Sequence, residues 1–344
     1  MRGRIPPQGI DQRQQLPYYL DDNQLNSEGD IAYNMDTDDG RVGDEFLRQI
    51  EPIAAYVPYM TAVGNHESAS NFSHYVNRFT MPNSEHNLFY SFNLGSAHFV
   101  VFSTEFYFYT EYGWKQIENQ WNWLIDDLTK ANKNRKNVPW ILTFGHRPMY
   151  CSDYDEDDCT KYESIVRTGL PRTHAYGLEK LFYHNDVDIE FWAHEHTYER
   201  MWPVYNRTVY NGTVSPYVNP LAPVHIVSGS AGCREYTDTF VTYPGPWSAR
   251  RSTDYGFGIL RVYNSTHVHF QQVAAAKDEV QDDLWIGCRE YTDTFVTYPG
   301  PWSARRSTDY GFGILRVYNS THVHFQQVAA AKDEVQDSKT ICGS

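Results

Sequence analysis

Four short polar motifs follow one another along the chain: Gly29-Asp30-Ile31-Ala32-Tyr33, Gly64-Asn65-His66-Glu67, Gly145-His146 and His194-Glu195-His196. The last three stand just after apolar, strand-like runs, Tyr59 to Val63, Trp140 to Phe144 and Val187 to Trp192. Such strands, alternating with helices and ending in polar residues, restrict the chain to a layered α/β fold whose chemistry lies where strands end and loops begin. Helical spacing of apolar residues predicts the intervening helices. Asp44 to Tyr56 carries Phe46, Leu47, Ile50 and Ile53 on one face. A second helix carries Trp114, Ile117, Trp121, Leu124, Ile125 and Leu128, and Leu178 to Phe182 is part of a third. Further strands are expected at His98 to Ser103 and Val224 to Ser228. The polar start, Met1 to Ser27, shows only a weak helical stretch near Leu16 to Leu25.

The net charge of −14 argues against nucleic acid or an anionic membrane as partner. Apolar runs such as Phe99 to Phe102 fall far short of membrane-spanning length. Nucleic acid and membrane are thus not the expected partners, and the oligomeric state stays open. The basic start has no apolar stretch behind it, so the chain as written is read as lacking a secretory signal. Two features lean the other way. Cys151 and Cys159 bracket an acidic loop, Ser152 to Asp158, and can close a small disulfide. Glycosylation tripeptides begin at Asn71, Asn206, Asn211, Asn264 and Asn319.

Gly232 to Asp282 recurs letter for letter as Gly287 to Asp337. Repeat architectures stack several diverged units with distinct caps, which two identical copies at one end do not match. Each copy carries the same predicted hairpin, Phe257 to Val262 with Thr266 to Val273, so the two compete for one sheet edge. The first copy has the shorter connection, a weak preference because loop entropy grows slowly with length. Asp283 to Ile286 then supplies a final strand.

The motif residues suit a hydrolytic centre of two metal ions, which binds a phosphate ester and makes a nucleophile from water at mild pH. A carboxylate such as Asp30 can bridge two cations, and the Tyr33 phenolate favours a ferric ion. Asn65 offers an amide oxygen, His66 a proton for a leaving alkoxide, and Glu67 a partner to orient His66. Gly64 is read as allowing a tight turn. His146 ends an apolar strand, and His194 and His196 share one face of extended chain, so that both imidazoles reach one site. His267/His269 and His322/His324 fit an alternating strand face and are set aside. Arg147 and Arg200 can each contact phosphate or serve as a structural ion-pair partner.

In this order the four motifs resemble the purple acid phosphatases of the animal, iron/zinc type, within the calcineurin-like metallophosphoesterases. Gly145-His-Arg-Pro-Met-Tyr150, Trp192-Ala-His-Glu-His-Thr-Tyr-Glu-Arg200 and Gly229-Ser-Ala-Gly232 extend the resemblance from about Leu16 to Ile286. It implies a four-layer αββα sandwich, hydrolysis of phosphomonoesters at acidic pH, and a secreted or lysosomal glycoprotein. The implied cofactors are Fe(III) with Zn, Mn or a second Fe. Asp30 would bridge the metals, Tyr33 and His196 hold the ferric ion, Asn65, His146 and His194 hold the divalent ion, and His66 assist the leaving group. A metal-bound hydroxide would be the nucleophile.

The chain departs from that pattern at its start. The family opens with a strand ending in an Asp that ligates the ferric ion, and an apolar strand leads into its Gly-Asp-x-x-Tyr. Here Asp11, Asp21 and Asp22 are poor substitutes, and the lead-in is Gln24-Leu25-Asn26-Ser27-Glu28. The expectation is an N-terminally truncated fold lacking two central strands and one ferric ligand, with impaired activity. Three segments follow: residues 1–28 a remnant, 29–286 the metallophosphoesterase domain, and 287–344 the duplicated hairpin segment with its tail.

Overall fold

Apolar strands that lie parallel must be covered on both faces, and the chain meets this demand with two stacked sheets. The computed structural model describes residues 29–84, 86–154, 156–232 and 235–287 in full, and the backbone of strands Tyr19–Leu20, Gln24–Ser27, Gly311–Asn319, His322–Ala329 and Glu334–Cys342. The chain divides into two units, Met1–Arg289 and Glu290–Ser344.

In the first unit a seven-stranded sheet runs Ser248–Ser252, Tyr198–Met201, Val224–Ser228, Ile189–Trp192, Trp140–Phe144, Ala97–Val101, Tyr90–Leu94. Its four middle strands, Val224–Ser228 to Ala97–Val101, are mutually parallel. Every residue of Trp140–Phe144 and Ile189–Trp192 is buried, as that position requires. A six-stranded sheet runs Glu279–Gly287, His267–Ala274, Gly256–Val262, Tyr19–Leu20, Gln24–Ser27, Tyr59–Thr61. Leu142, Phe144, Phe191 and Ile226 of the first sheet share a core with Leu260, Val268, Phe270 and Ile286 of the second. On the first sheet's far face, Ile117, Leu124 and Leu128 of helix Lys115–Lys133 pack with Phe182 of helix Leu178–His184 against Val100, Ile141 and Trp192. Helix Arg41–Ala54 is the crossover between parallel strands Gln24–Ser27 and Tyr59–Thr61, and its Phe46 is buried with Met60. The fold is mixed α/β, with sheet against sheet and helices outside.

The N-terminal expectation is corrected. The stretch near Leu16 to Leu25 contains strand, and Gln24–Ser27 leads into Gly29. Tyr19–Leu20 lies parallel to Gly256–Val262, with Leu20 opposite Leu260, and Gln24–Ser27 lies parallel to Tyr59–Thr61. These segments take the two central positions that the sequence alone leaves empty. Without them Gly256–Val262 and Tyr59–Thr61 would each present an unpaired backbone edge inside the sandwich, a cost that outweighs weak local propensity. The two short strands are antiparallel, with Leu20 opposite Gln24. The Leu20 end is thus about 10 Å from the Ser27 end that leads to Asp30, at roughly 3.3 Å per residue.

The duplicated segment forms two copies of one three-stranded meander. Leu260 pairs with Phe270 in the first copy, and Leu315 with Phe325 in the second. The first copy is the one that extends the six-stranded sheet. Beyond loop length, the last strand favours it. Leu284 and Ile286 are buried there, whereas the position opposite Phe325 that matches Leu284 is Lys339. A lysine facing that core would carry a heavy desolvation cost.

Candidate metal centre

Two glycines bring the motif loops within backbone contact. Gly29 has φ +104°, and a Cβ there would lie 2.6 Å from Gly64 N and from His146 Nδ1. Gly64 is extended rather than tightly turned as expected, with φ −112°. Its lack of a side chain matters because a Cβ would lie 2.3 Å from Asp30 Oδ1. Glu67 also differs from expectation. It is buried and accepts the backbone N–H groups of Asp30, Ile31 and Gly64, each at 2.8 Å, so it ties the two loops together instead of orienting His66. Burial and the neighbouring Asp30 charge push the Glu67 carboxyl up to about 7.

One pole of the site is built around His146 Nε2. It lies 3.0 Å from Asn65 Oδ1, 3.1 Å from Asp30 Oδ2 and 3.1 Å from His194 Nδ1. A single ring nitrogen carries at most one proton and cannot serve three acceptors. Lone pairs of two imidazoles, a carboxylate and an amide that converge in this way fit a divalent cation such as zinc, manganese or ferrous iron. Burial opposes the charge of Asp30, but His146 and His66 outweigh it and hold the carboxyl well below its ordinary range. Burial likewise opposes the charge of His146, and Asp30 outweighs it and raises the imidazole.

The second pole has fewer donors among the described residues. Tyr33 Oη lies 2.8 Å from His196 Nε2. His196 Nδ1 lies 3.0 Å from the Tyr236 carbonyl oxygen, to which it can donate, leaving the Nε2 lone pair for Tyr33's side. The His196 backbone N–H donates to Asp238 Oδ2 at 2.6 Å. Among the described residues, the groups of three or more converging His, Cys, Asp and Glu donors include Asp30, His146 and His194, and none contains His196. Asp11, Asp21 and Asp22 lie outside the described residues.

His194 and His196 do not share a face of extended chain. His194 has left-handed backbone, φ 66°, which sends its ring to the first pole and leaves His196 for the second. Gly229 permits this bend, since a Cβ there would lie 2.1 Å from the Glu195 carbonyl oxygen. His66 stands beside both poles. Its backbone N–H donates to Asp30 Oδ1 at 3.0 Å, its Nδ1 lies 3.0 Å from Asn34 Oδ1, and its Nε2 faces Glu235 at 3.9 Å.

Other residues enter that the sequence reading passed over. Asp157, on the loop closed by the Cys151–Cys159 disulfide, lies within hydrogen-bond reach of His194 Nε2. Arg147 is held by Glu105 at 3.1 Å and lies 3.4 Å from Asp157, so it takes the structural role among its two readings. Arg200 does the same, bonded to Asp282 and Tyr217. The acidic composition of Ser152 to Asp158 was the only signal for Asp157, and nothing in it singled out that residue. His269 sits on its strand, stacked on Trp285 at 4.3 Å.

Residues 15–198 match the calcineurin-like phosphoesterase model, and residues 222–283 and 287–338 match that of iron/zinc purple acid phosphatase-like protein C. Acid phosphatase type 7 of Mus musculus is 56% identical over 260 residues, covering 75% of this chain and 59% of the relative. That of Danio rerio is 57% identical over 252 residues, covering 72% and 57%. The chain thus spans less than two thirds of the length of these curated relatives. Purple acid phosphatase PPD1 from yellow lupin (Lupinus luteus) seeds shares the fold, with a TM-score of 0.61 at 24% identity over 77% of this chain and 46% of that one. With its motifs gathered at one end of a two-sheet sandwich and both regions matched, the chain belongs to the calcineurin-like phosphoesterases, in their purple acid phosphatase branch.

Proposed function

We propose that the chain hydrolyses small phosphomonoesters at acidic pH, as a metal-dependent acid phosphatase. The observation that carries this reading is the convergence of Asp30, Asn65, His146 and His194 on one point, with His66 alongside. A cation bound there supplies Lewis-acid charge for the phosphoryl oxygens and eases deprotonation of water. Asp30, Asn65, His146 and His194 would hold the divalent ion, and Tyr33 and His196 a ferric one. Asn34 Oδ1 can accept the Nδ1–H of His66, and the doubly protonated ring then gives its Nε2 proton to the departing alcohol and is left neutral with the Nδ1–H still on Asn34. Arg147 is engaged by Glu105 and Asp157, so phosphate charge falls to the cations and His66.

A second reading has a specific observation in its favour. Among the described residues the first pole gathers four donors, and the second shows Tyr33 and His196. A chain that keeps only the divalent ion would be an impaired relative binding one metal. Phosphodiester or nuclease activity on this scaffold is disfavoured by the net charge of −14. Among the described residues no helix is long and apolar enough to cross a membrane. The Cys151–Cys159 disulfide and the glycosylation tripeptides support a secreted or lysosomal glycoprotein.

The test is turnover of p-nitrophenyl phosphate by the full chain at acidic pH. Activity that a chelator removes and zinc or manganese restores is the expected result. Metal-replete, folded protein without turnover would overturn the phosphatase reading and leave the one-metal alternative.

A further inference from the structure

His194 is the donor of the first pole whose ring nitrogens face different company. Nδ1 points at the cluster, 3.1 Å from His146 Nε2. Nε2 meets Asp157 Oδ2, its nearer neighbour, and Arg147 Nη1 at 3.0 Å. These two contacts make opposite demands. A carboxylate oxygen requires a proton on Nε2, whereas a guanidinium N–H requires a lone pair there. A neutral imidazole satisfies one of them, and the choice decides what stands on Nδ1. With Nε2–H given to Asp157, the Nδ1 lone pair faces the donor cluster. With Nε2 accepting from Arg147, Nδ1 carries a proton at the point where a cation must bind.

We propose that Asp157 is a positioning residue that fixes His194 in its Nε2–H form and so readies Nδ1 for a metal ion. The inference rests on the metal-centre reading above and adds a residue that the four motifs do not contain. Asp157 suits the task because its loop is fastened at several points. Cys151 and Cys159 close the loop covalently. Asp158, the next residue, accepts Ser164 Oγ at 2.6 Å and Ile165 N at 3.1 Å at the start of helix Ile165–Thr168. At the loop's other end, Asp153 accepts Thr197 Oγ1 at 3.0 Å, and Thr197 lies three residues beyond His194. Arg147 itself is held on Glu105, so it stays in place to claim Nε2 if Asp157 is removed. Partners that orient a ligand histidine in this way typically govern metal affinity by about 10–100-fold.

The experiment compares the full chain with Asp157→Asn and Asp157→Ala. The amide oxygen of the Asn variant keeps the acceptor, and the Ala variant removes it. Ring nitrogen chemical shifts of 15N-histidine-labelled, chelator-treated protein, near pH 7.5, report the His194 tautomer without any metal. The parent and Asp157→Asn are expected as Nε2–H and Asp157→Ala as Nδ1–H, with all three melting alike. Zinc titration should then show a loss of about 10–100-fold for Asp157→Ala, largely recovered in Asp157→Asn. A double Cys151→Ser/Cys159→Ser variant should lose affinity in the same direction. An Nε2–H tautomer that persists in Asp157→Ala, zinc affinity equal to the parent's, or equal loss in the Asn and Ala variants would overturn the proposal. A parent chain that takes up no zinc would instead defeat the metal-centre reading, while the ring shifts still decide the role of Asp157.

Discussion

At the residue scale, His66 lies beside the donor groups without being one of them: its ring lies against Asn34 and Tyr33, and its backbone N–H reaches Asp30. Its chemistry can therefore be removed without removing a ligand. His66→Ala should lower kcat by about 10²–10⁴-fold, the usual worth of a positioned proton donor, with metal content unchanged. Steady-state kinetics beside elemental analysis checks this, and an unchanged kcat would assign the proton to another group. The candidate ligands were legible because each follows a motif glycine or an apolar strand, where backbone geometry leaves few places for a polar side chain. What Glu67, Gly64 and His194 do locally was not legible. Glu67 serves three backbone donors, two of them more than thirty residues away, Gly64 is needed for an approach rather than a turn, and His194 departs from extended backbone. Each depends on a loop remote in sequence.

At the element scale, the buried strands were readable because parallel strands covered on both faces need continuous apolar runs. The N-terminal pair was not, because Tyr19–Leu20 and Gln24–Ser27 are held by neighbours far along the chain and not by their own composition. The duplicated meander shows how one position selects between equal alternatives. Leu284→Lys places in the first copy the residue that the second copy carries. It should destabilise the first unit by about 2–5 kcal/mol, the usual range for losing a large buried aliphatic side chain, with the lysine's desolvation added. Urea denaturation followed by tryptophan fluorescence measures it, and a change under about 0.5 kcal/mol, typical of a surface site, would show that Leu284 does not select the copy.

At the scale of the whole molecule, buried ionisable groups set how stability depends on pH. Burial, with the Glu179 charge, holds Glu190 well above the ordinary 4.5, and burial also raises Glu199. Both are protonated in the folded chain where the unfolded chain has ionised, so their effect is nil below about 4.5 and costs stability as pH rises beyond it. His225 acts in the opposite sense. Burial lowers it to about 3 from 6.5, so stability is lost as pH falls through that interval. Glu67, pushed up to about 7, acts with Glu190 and Glu199, and His194, lowered by burial, acts with His225, so three groups losing against two gaining place the maximum for metal-free protein near pH 4.5, with a decline towards neutrality. Glu190→Gln should flatten that decline, raising the melting temperature more at pH 7.5 than at pH 4.5. Calorimetry across pH checks it, and a parent that melts highest at pH 7.5 would contradict it.

All of this turns on whether Asp30, Asn65, His146 and His194 form a cation site, and metal content per chain, by mass spectrometry on purified monodisperse protein, tests that most directly. The account predicts at least one tightly held divalent ion per chain, lost in His146→Ala. Folded parent protein that retains no metal after zinc, manganese and iron are supplied, or a His146→Ala variant that keeps its full complement, would contradict it.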